Sequence, residues 1–122
     1  MKYSLATQQR NEKYLRGDEA PPLFLFAADR PLLAIKDLRP DGIGRDPLLP
    51  DLLLKRVMAG GIKQRYFRAI VPGDVLLIER TIADIYEKAG SSGPLIFIEY
   101  NIDINSEDGD RVMQETQIRI NR

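Results

Sequence analysis

The sequence contains no histidine, no cysteine and no tryptophan among its 122 residues. The lack of cysteine excludes disulfides, a thiolate nucleophile and cysteine-ligated zinc or iron–sulfur sites in these residues. The lack of histidine removes the commonest general base and the commonest metal ligand together. We therefore expect no metal site and no bound cofactor.

An excess of charge of either sign is also lacking, because 18 basic and 18 acidic residues give a formal net charge of zero. This balance does not indicate a broad surface for nucleic acid or for an anionic membrane. No apolar run approaches the length of a membrane span, and the N-terminal residues lack the apolar region of a signal peptide. The composition predicts one globular domain, 1–122, in the cytoplasm.

The first half of the chain is irregular in pattern. Residues 1–19 form an N-terminal lead-in, and within it residues 5–16 are predicted to form a short polar helix that ends at Gly17. Residues 39–51 carry three prolines and two glycines and are predicted to form a long loop. A loop of this length in a small domain is often functional or interfacial. The alternative is a surface loop that only packs against the rest of the domain.

A short apolar helix is predicted between these two segments. Pro21 and Pro22 suit the start of a helix, and Pro31 ends or kinks it. The apolar residues between them are Leu23, Phe24, Phe26 and Ala27. An apolar helix this short is best explained if it is buried against a sheet.

From Ile62 onward the apolar period becomes two, which is typical of strands. The predicted strands span 62–70, 74–87, 95–105 and 111–121. The short, turn-rich connections indicate consecutive antiparallel neighbours, with Pro72 and Gly73 supplying a tight turn between the first two strands.

The two later strands carry the clearest alternation. In the third, one face should carry Ile96, Ile98, Tyr100, Ile102 and Ile104, and the other should carry Glu99, Asn101 and Asp103. In the fourth, one face should carry Val112, Gln114, Thr116, Ile118 and Ile120. The predicted class is therefore α+β, with a hot-dog fold in which a long antiparallel sheet wraps around a short apolar helix.

An ordered series of motifs resembles a known family. The series runs APP (20–22), LRPDG (38–42), R-x-MAGG (56–61), an aromatic residue five positions before PGD (72–74), and TIADIYEKAGSSGPLIFIE (81–99). It is similar to the N-terminal, non-catalytic hot-dog domain of MaoC-like hydratases and dehydratases. Mesaconyl- and itaconyl-CoA hydratases and the type 2 3-hydroxyacyl-thioester dehydratases are the nearest members.

The resemblance implies addition of water to an enoyl thioester, or its elimination from a 3-hydroxyacyl thioester. In that family an Asp–His pair in a second hot-dog domain handles the water and the α-proton, within an Asp-x-Asn-Pro-x-His type of motif. That motif does not occur in these 122 residues. We therefore expect an acyl-CoA-shaping subunit of a heteromeric hydro-lyase, whose catalytic pair comes from a partner hot-dog chain in a heterodimer or heterotetramer. A CoA or acyl-carrier thioester is the expected substrate.

Six residues are candidates for contact with that thioester or with the phosphates of CoA: Gly60, Gly61, Lys63, Arg65, Arg68 and Lys88. Arginine suits anions because its guanidinium group binds them through two hydrogen bonds. For the glycines the alternative is positive φ at a bulge, and for the cations it is a solvated strand or hairpin charge. Asp74, which follows the PG turn, is expected to bond the backbone of that turn.

Two further functions stay open. One is a non-catalytic acyl-CoA-binding module that associates with itself as a homo-oligomer. The other is a thioesterase, because other hot-dog families hydrolyse CoA thioesters with a single carboxylate. Asp29, on the predicted helix, would then be the catalytic residue.

Overall fold

The computed structural model describes residues 1–122, which group into two compact units. The first unit comprises 1–47 with 69–74, and the second comprises 48–68 with 75–122. Helices in the first unit are α1 (Lys2–Ala6), α2 (Glu12–Arg16), α3 (Phe24–Ala28) and a single 3-10 turn (Ile35–Asp37). Strands in the second unit are β1 (Val57–Tyr66), β2 (Leu76–Gly90), β3 (Gly93–Ser106) and β4 (Arg111–Asn121). No helix has the length and apolarity that crossing a bilayer requires.

The predicted N-terminal helix exists as two short helices. Gln8 adopts the left-handed conformation (φ 54°), which interrupts the helix after α1. Asn11 caps the start of α2 by accepting a hydrogen bond from the Lys13 backbone N–H at 3.2 Å. Gly17 ends α2 in the left-handed conformation (φ 84°), so the predicted helix end is confirmed.

The prediction that the apolar helix is buried is wrong. None of the five residues of α3 is buried, although Phe24 makes an edge-to-face contact with Tyr3, with ring centroids 5.5 Å apart. A helix of five residues has too little surface to present one apolar stripe to a sheet. The predicted loop at 39–51 does lack regular elements, and its turn is closed by a hydrogen bond from the Gly42 N–H to the Arg39 carbonyl at 2.8 Å.

The second unit is one antiparallel sheet in the order β1-β4-β3-β2. The hairpins β2–β3 and β3–β4 follow the prediction. The predicted pairing of the first two strands is wrong, because β1 pairs with β4 and lies at the edge opposite β2. Pro72 and Gly73 therefore lie in a connection between the two edges. Asp74 closes the turn there by accepting a hydrogen bond from the Val71 N–H at 2.9 Å, in the structural role expected of it.

The strand β1 begins five residues earlier than predicted, at Val57, and ends at Tyr66. The sequence prediction started this strand at Ile62 because it placed Gly60 and Gly61 before it. The glycines instead lie inside β1 at a register shift opposite β4, and the strand continues through them.

The two faces of the sheet differ in burial. The isoleucine face carries Ile98, Tyr100, Ile102 and Ile104, which are all buried, so the predicted alternation of β3 is confirmed. The opposite face carries Glu99, Asn101 and Asp103, which are half-buried. Cross-strand register places Gln114, Thr116, Ile118 and Ile120 on this opposite face, as predicted for β4. Val112, predicted to share that face, lies at the register shift between Arg111 and Met113 and is fully buried.

Candidate functional site

The two candidate glycines occupy a bulge on β1. Gly61 has a φ of 147°, which strains any residue with a side chain. A Cβ at Gly60 would lie 2.6 Å from the Cγ2 atom of Ile118 on β4. The conformation of the backbone at this bulge is therefore sufficient to explain why both residues are glycine. Their contact with a thioester stays a prediction.

The candidate cations do not converge on one point. Lys63 and Arg65 project from the same face of β1, and both are exposed. Lys88 lies near the C-terminal end of β2, which is the edge strand opposite β1. Neighbouring strands are about 4.8 Å apart, so three spacings separate the two edges by roughly 14 Å. Arg68 follows the end of β1 and is half-buried.

Asp29 occupies the C-cap position of α3 and is exposed. Its backbone N–H donates to the Leu25 carbonyl at 2.9 Å. Asp29 does not line either of the two cavities found in the first unit. The structure therefore supplies no specific support for a thioesterase role.

A buried polar cluster lies on the isoleucine face and was not anticipated from the sequence. Glu115 is 2% exposed, and its carboxylate accepts hydrogen bonds from the side-chain amides of Gln64 and Gln117. The Tyr66 hydroxyl donates to the Gln64 carbonyl oxygen at 3.2 Å, which extends the chain of hydrogen bonds to the β1 edge. Amide donors that satisfy both carboxylate oxygens stabilise the buried group.

The same face holds a cation beside this cluster. Gln64, Glu115, Ile102 and Arg80 are successive cross-strand partners from β1 to β2. The Arg80 guanidinium lies 4.0 Å from the ring centroid of the buried Tyr100, which is cation–π geometry. The signal for this cluster was present in β4, where polar residues recur at alternate positions on the side that faces the isoleucines of β3.

Aromatic and charged groups combine at the end of β2. Tyr86 and Phe97 are directly opposite and stacked, with centroids 5.2 Å apart, and the Lys88 ammonium lies 5.1 Å from each centroid. The Tyr86 hydroxyl donates to Glu99 at 3.0 Å, and this bond to the carboxylate raises the pKa of Tyr86. Lys88 is thus placed over aromatic rings in cation–π geometry, and its contact with a ligand stays a prediction.

A second basic cluster lies in the first unit, where no site was predicted. A cleft of about 510 Å³ is lined by Lys36, Arg39 and Arg45 together with Leu33 and Asp37. Arg39 forms an ion pair with Asp41 at 2.8 Å. The wall of the cleft contains three cations and one carboxylate. The cleft is therefore suited to bind an anion such as a phosphate.

The first unit also contains a smaller, more apolar cavity. Its volume is about 220 Å³, and Tyr3, Ser4, Phe24 and Ile70 contribute to its lining. The Ser4 hydroxyl is buried without a hydrogen-bond partner. No group of three or more metal-ligating side chains is placed to hold a metal ion.

Comparison with known proteins identifies the family. A family model described as "FAS1-like, dehydratase domain region" matches residues 3–115, which is nearly the whole chain. The chain belongs to this FAS1-like dehydratase domain family. The predicted resemblance to dehydratase hot-dog domains is confirmed at this level. The comparison with curated proteins finds no match.

The fold is shared with a solved structure from Mycobacterium tuberculosis, the crystal structure of the ChsH1–ChsH2 complex. The matched chain superposes with a TM-score of 0.72 at 22% identity, over 98% of this chain and 74% of the other. The likeness confirms an α+β, hot-dog-related fold for the FAS1-like dehydratase domain. A four-stranded antiparallel sheet and short helices are present, and the wrapping of the sheet around a helix stays a prediction.

Proposed function

We propose that this FAS1-like dehydratase domain is the acyl-CoA-shaping subunit of a heteromeric enoyl-CoA hydratase or 3-hydroxyacyl-CoA dehydratase. The observation that carries the proposal is the family match over residues 3–115 in a chain without histidine. Dehydration of a 3-hydroxyacyl thioester needs a base for the α-proton and an acid for the leaving hydroxyl. A pair of groups suited to these steps is not assembled among the exposed residues described above.

The catalytic Asp–His pair would come from a second hot-dog chain. Support for a separate chain comes from the solved relative, which is itself a complex of two different proteins. Division of labour between two hot-dog units explains how a dehydratase domain functions without its own general base.

The phosphates of CoA are proposed to bind at the cleft of the first unit. Lys36 and Arg45 line this cleft together with Arg39, whereas Lys88 of β2 lies at the opposite edge of the sheet from Lys63 and Arg65 of β1. Leu33 adds apolar surface on which an adenine ring can lie. Phosphate binding by clustered arginine and lysine is electrostatic and falls with ionic strength.

The test is co-expression with a hot-dog protein that carries the Asp-x-Asn-Pro-x-His motif, preferably one encoded by a neighbouring gene. The expected result is a stable complex that hydrates a 2-enoyl-CoA and loses this activity when the partner's histidine is replaced by alanine. A complex whose activity survives that replacement would contradict the assignment of the catalytic pair to the partner. Absence of any stable complex would contradict the heteromer.

A further inference from the structure

The Ser4 cavity, which is the smaller cavity of the first unit, is built by three segments of that unit. Its walls come from helix α1, from the chain that links α2 to α3, and from the connection that follows β1. The second and third segments are joined by a hydrogen bond from the Ala20 N–H to the Ile70 carbonyl at 2.8 Å. The first and second meet where the rings of Tyr3 and Phe24 pack edge to face. Both contacts lie within one compact unit, so the cavity belongs to that unit alone.

Helix α1 buries its serine and exposes its leucine. Ser4 is 1% exposed and lines the cavity, whereas the next residue, Leu5, is 63% exposed. Burial of a hydroxyl in preference to an aliphatic side chain is contrary to the hydrophobic effect. The Ser4 hydroxyl also has no hydrogen-bond partner. The buried side chains of Glu115 and Asn121, by contrast, both have partners.

A buried hydroxyl without a partner destabilises the folded chain, because it gives up hydrogen bonds to water and gains none in return. Serine carries one O–H donor and accepting lone pairs, so a ligand hydroxyl or carbonyl can form a bond with it. A molecule in the cavity that supplies this bond removes the destabilisation. The state of Ser4 therefore indicates a ligand with one polar group.

The other walls of the cavity determine the body of the ligand. Tyr3, Phe24 and Ile70 contribute aromatic and aliphatic surface, and Pro21, which is buried, also lines the cavity. An apolar cavity of roughly 150 Å³ holds one benzene ring. The Ser4 cavity has a volume of about 220 Å³ and therefore fits a ring or a short alkyl chain with one substituent.

The charged groups at the cavity favour a neutral ligand. Glu19 lies in the cavity wall, and its carboxylate is paired with the Lys13 ammonium at 2.7 Å. Glu19 would repel the carboxylate of an anionic ligand, and its attraction for a cation is already met by Lys13.

We propose that the Ser4 cavity is a binding site for a small neutral molecule with an apolar body and one hydroxyl or carbonyl group, which forms a hydrogen bond with Ser4. The cavity shares no lining residue with the basic cleft to which the phosphates of CoA are assigned. The inference therefore does not rest on the proposed catalytic function.

The experiment is a titration of the purified full chain with phenol, followed through the backbone amide signals in NMR spectra. Phenol has a ring and one hydroxyl, and toluene has nearly the same shape without the hydroxyl. Saturable shifts should be centred on α1, Ala20 and Ile70. Ser4→Ala should raise the Kd for phenol about fivefold or more, because one hydrogen bond is lost, and should not raise the Kd for toluene. Benzoate, which is anionic, should bind the wild type more weakly than phenol does.

Thr7→Val is the matched control, because Thr7 is a second hydroxyl residue at the end of α1 and does not line the cavity. This variant should leave the Kd values for phenol and toluene unchanged. Urea unfolding of the ligand-free chain supplies an independent measurement. Ser4→Ala should not lower the urea midpoint, because the hydroxyl that it removes has no partner.

Four results would each overturn the proposal. The first is a wild type without saturable shifts, or with shifts centred away from the cavity. The second is an equal Kd for phenol in the wild type and in Ser4→Ala. The third is an equal rise in the Kd for phenol and for toluene in Ser4→Ala, and the fourth is a lower urea midpoint in this variant, which would show that the hydroxyl has a partner within the folded chain.

Discussion

Gly60 on β1 lies against Ile118 on β4, so that a Cβ at position 60 would be 2.6 Å from the Ile118 Cγ2 atom and 3.1 Å from the Ile118 carbonyl oxygen. Contact with the backbone oxygen cannot be relieved by rotation of a side chain. The bulge at this position therefore holds the edge strand close to β4, and glycine is the residue that permits it.

Replacement of Gly60 by alanine should lower the free energy of unfolding by about 1–3 kcal/mol, because the added methyl group forces β1 away from β4. Urea unfolding measures this difference. Gly44→Ala is the control, since a Cβ there would meet only the flexible tip of Leu33, which is 46% exposed. Equal midpoints for the two variants would contradict the close approach of β1 and β4.

Replacement of Glu115 by the isosteric glutamine should lower the free energy of unfolding. In Glu115→Gln the new amide group meets the amide donors of Gln64 and Gln117, so at least one buried N–H group loses its acceptor. The expected loss is about 1–3 kcal/mol in the free energy of unfolding. Glu107→Gln in the exposed β3–β4 turn is the control and should have no measurable effect. An unchanged free energy of unfolding in Glu115→Gln would show that the cluster does not stabilise the sheet.

Ionisation of Tyr86 should depend on Glu99. The bond from the Tyr86 hydroxyl to Glu99 raises the pKa of Tyr86 above its ordinary value of 10.0. The stabilisation from this bond is fully present below the pKa of tyrosine in the unfolded chain and is lost as pH rises through the raised folded value. An absorbance titration of the tyrosines should include a late ionisation that is lost in Tyr86→Phe and retained in Tyr14→Phe. Persistence of this late ionisation in Tyr86→Phe would contradict the assignment.

Binding of CoA should depend on the cleft of the first unit. Removal of both cations in a Lys36→Ala, Arg45→Ala variant should weaken the affinity for a CoA thioester about tenfold or more and reduce the dependence of binding on salt. Calorimetry on the chain, or on its complex with a partner, measures both quantities. Lys63→Ala is the matched control. The proposed phosphate site is wrong if Lys63→Ala weakens binding and the double variant does not.

Local pattern in the sequence predicted the strands β2, β3 and β4 and their two hairpins. The alternation of Ile98 to Ile104 and the short turns after β2 and β3 are local features, and local features determine hairpins. The partner of β1 could not be predicted in this way. Pairing of β1 with β4 joins residues such as Val57 and Asn121, which are far apart in sequence, and local spacing carries no information on that choice.

The contacts expected of the candidate site residues stay a prediction. Lys63, Arg65 and Lys88 are candidates because cationic side chains suit the phosphates of CoA, yet the sheet places Lys63 and Arg65 at one edge and Lys88 at the other. Glu115 was overlooked because it looks like one of several solvated charges on β4. Its burial follows from the cross-strand position beside Ile102, whereas the alternation of polar residues along β4 indicates only that they share a face.

The central claim is that the chain shapes the substrate site and a partner performs the acid–base chemistry. The most direct measurement compares kcat/KM for hydration of one 2-enoyl-CoA by the purified chain alone and by its complex with a hot-dog chain that carries the Asp-x-Asn-Pro-x-His motif. General acid–base groups contribute about 10²–10⁴-fold, so the chain alone should be at least about 100-fold slower than the complex. Equal kcat/KM values for the chain alone and for the complex would contradict the account.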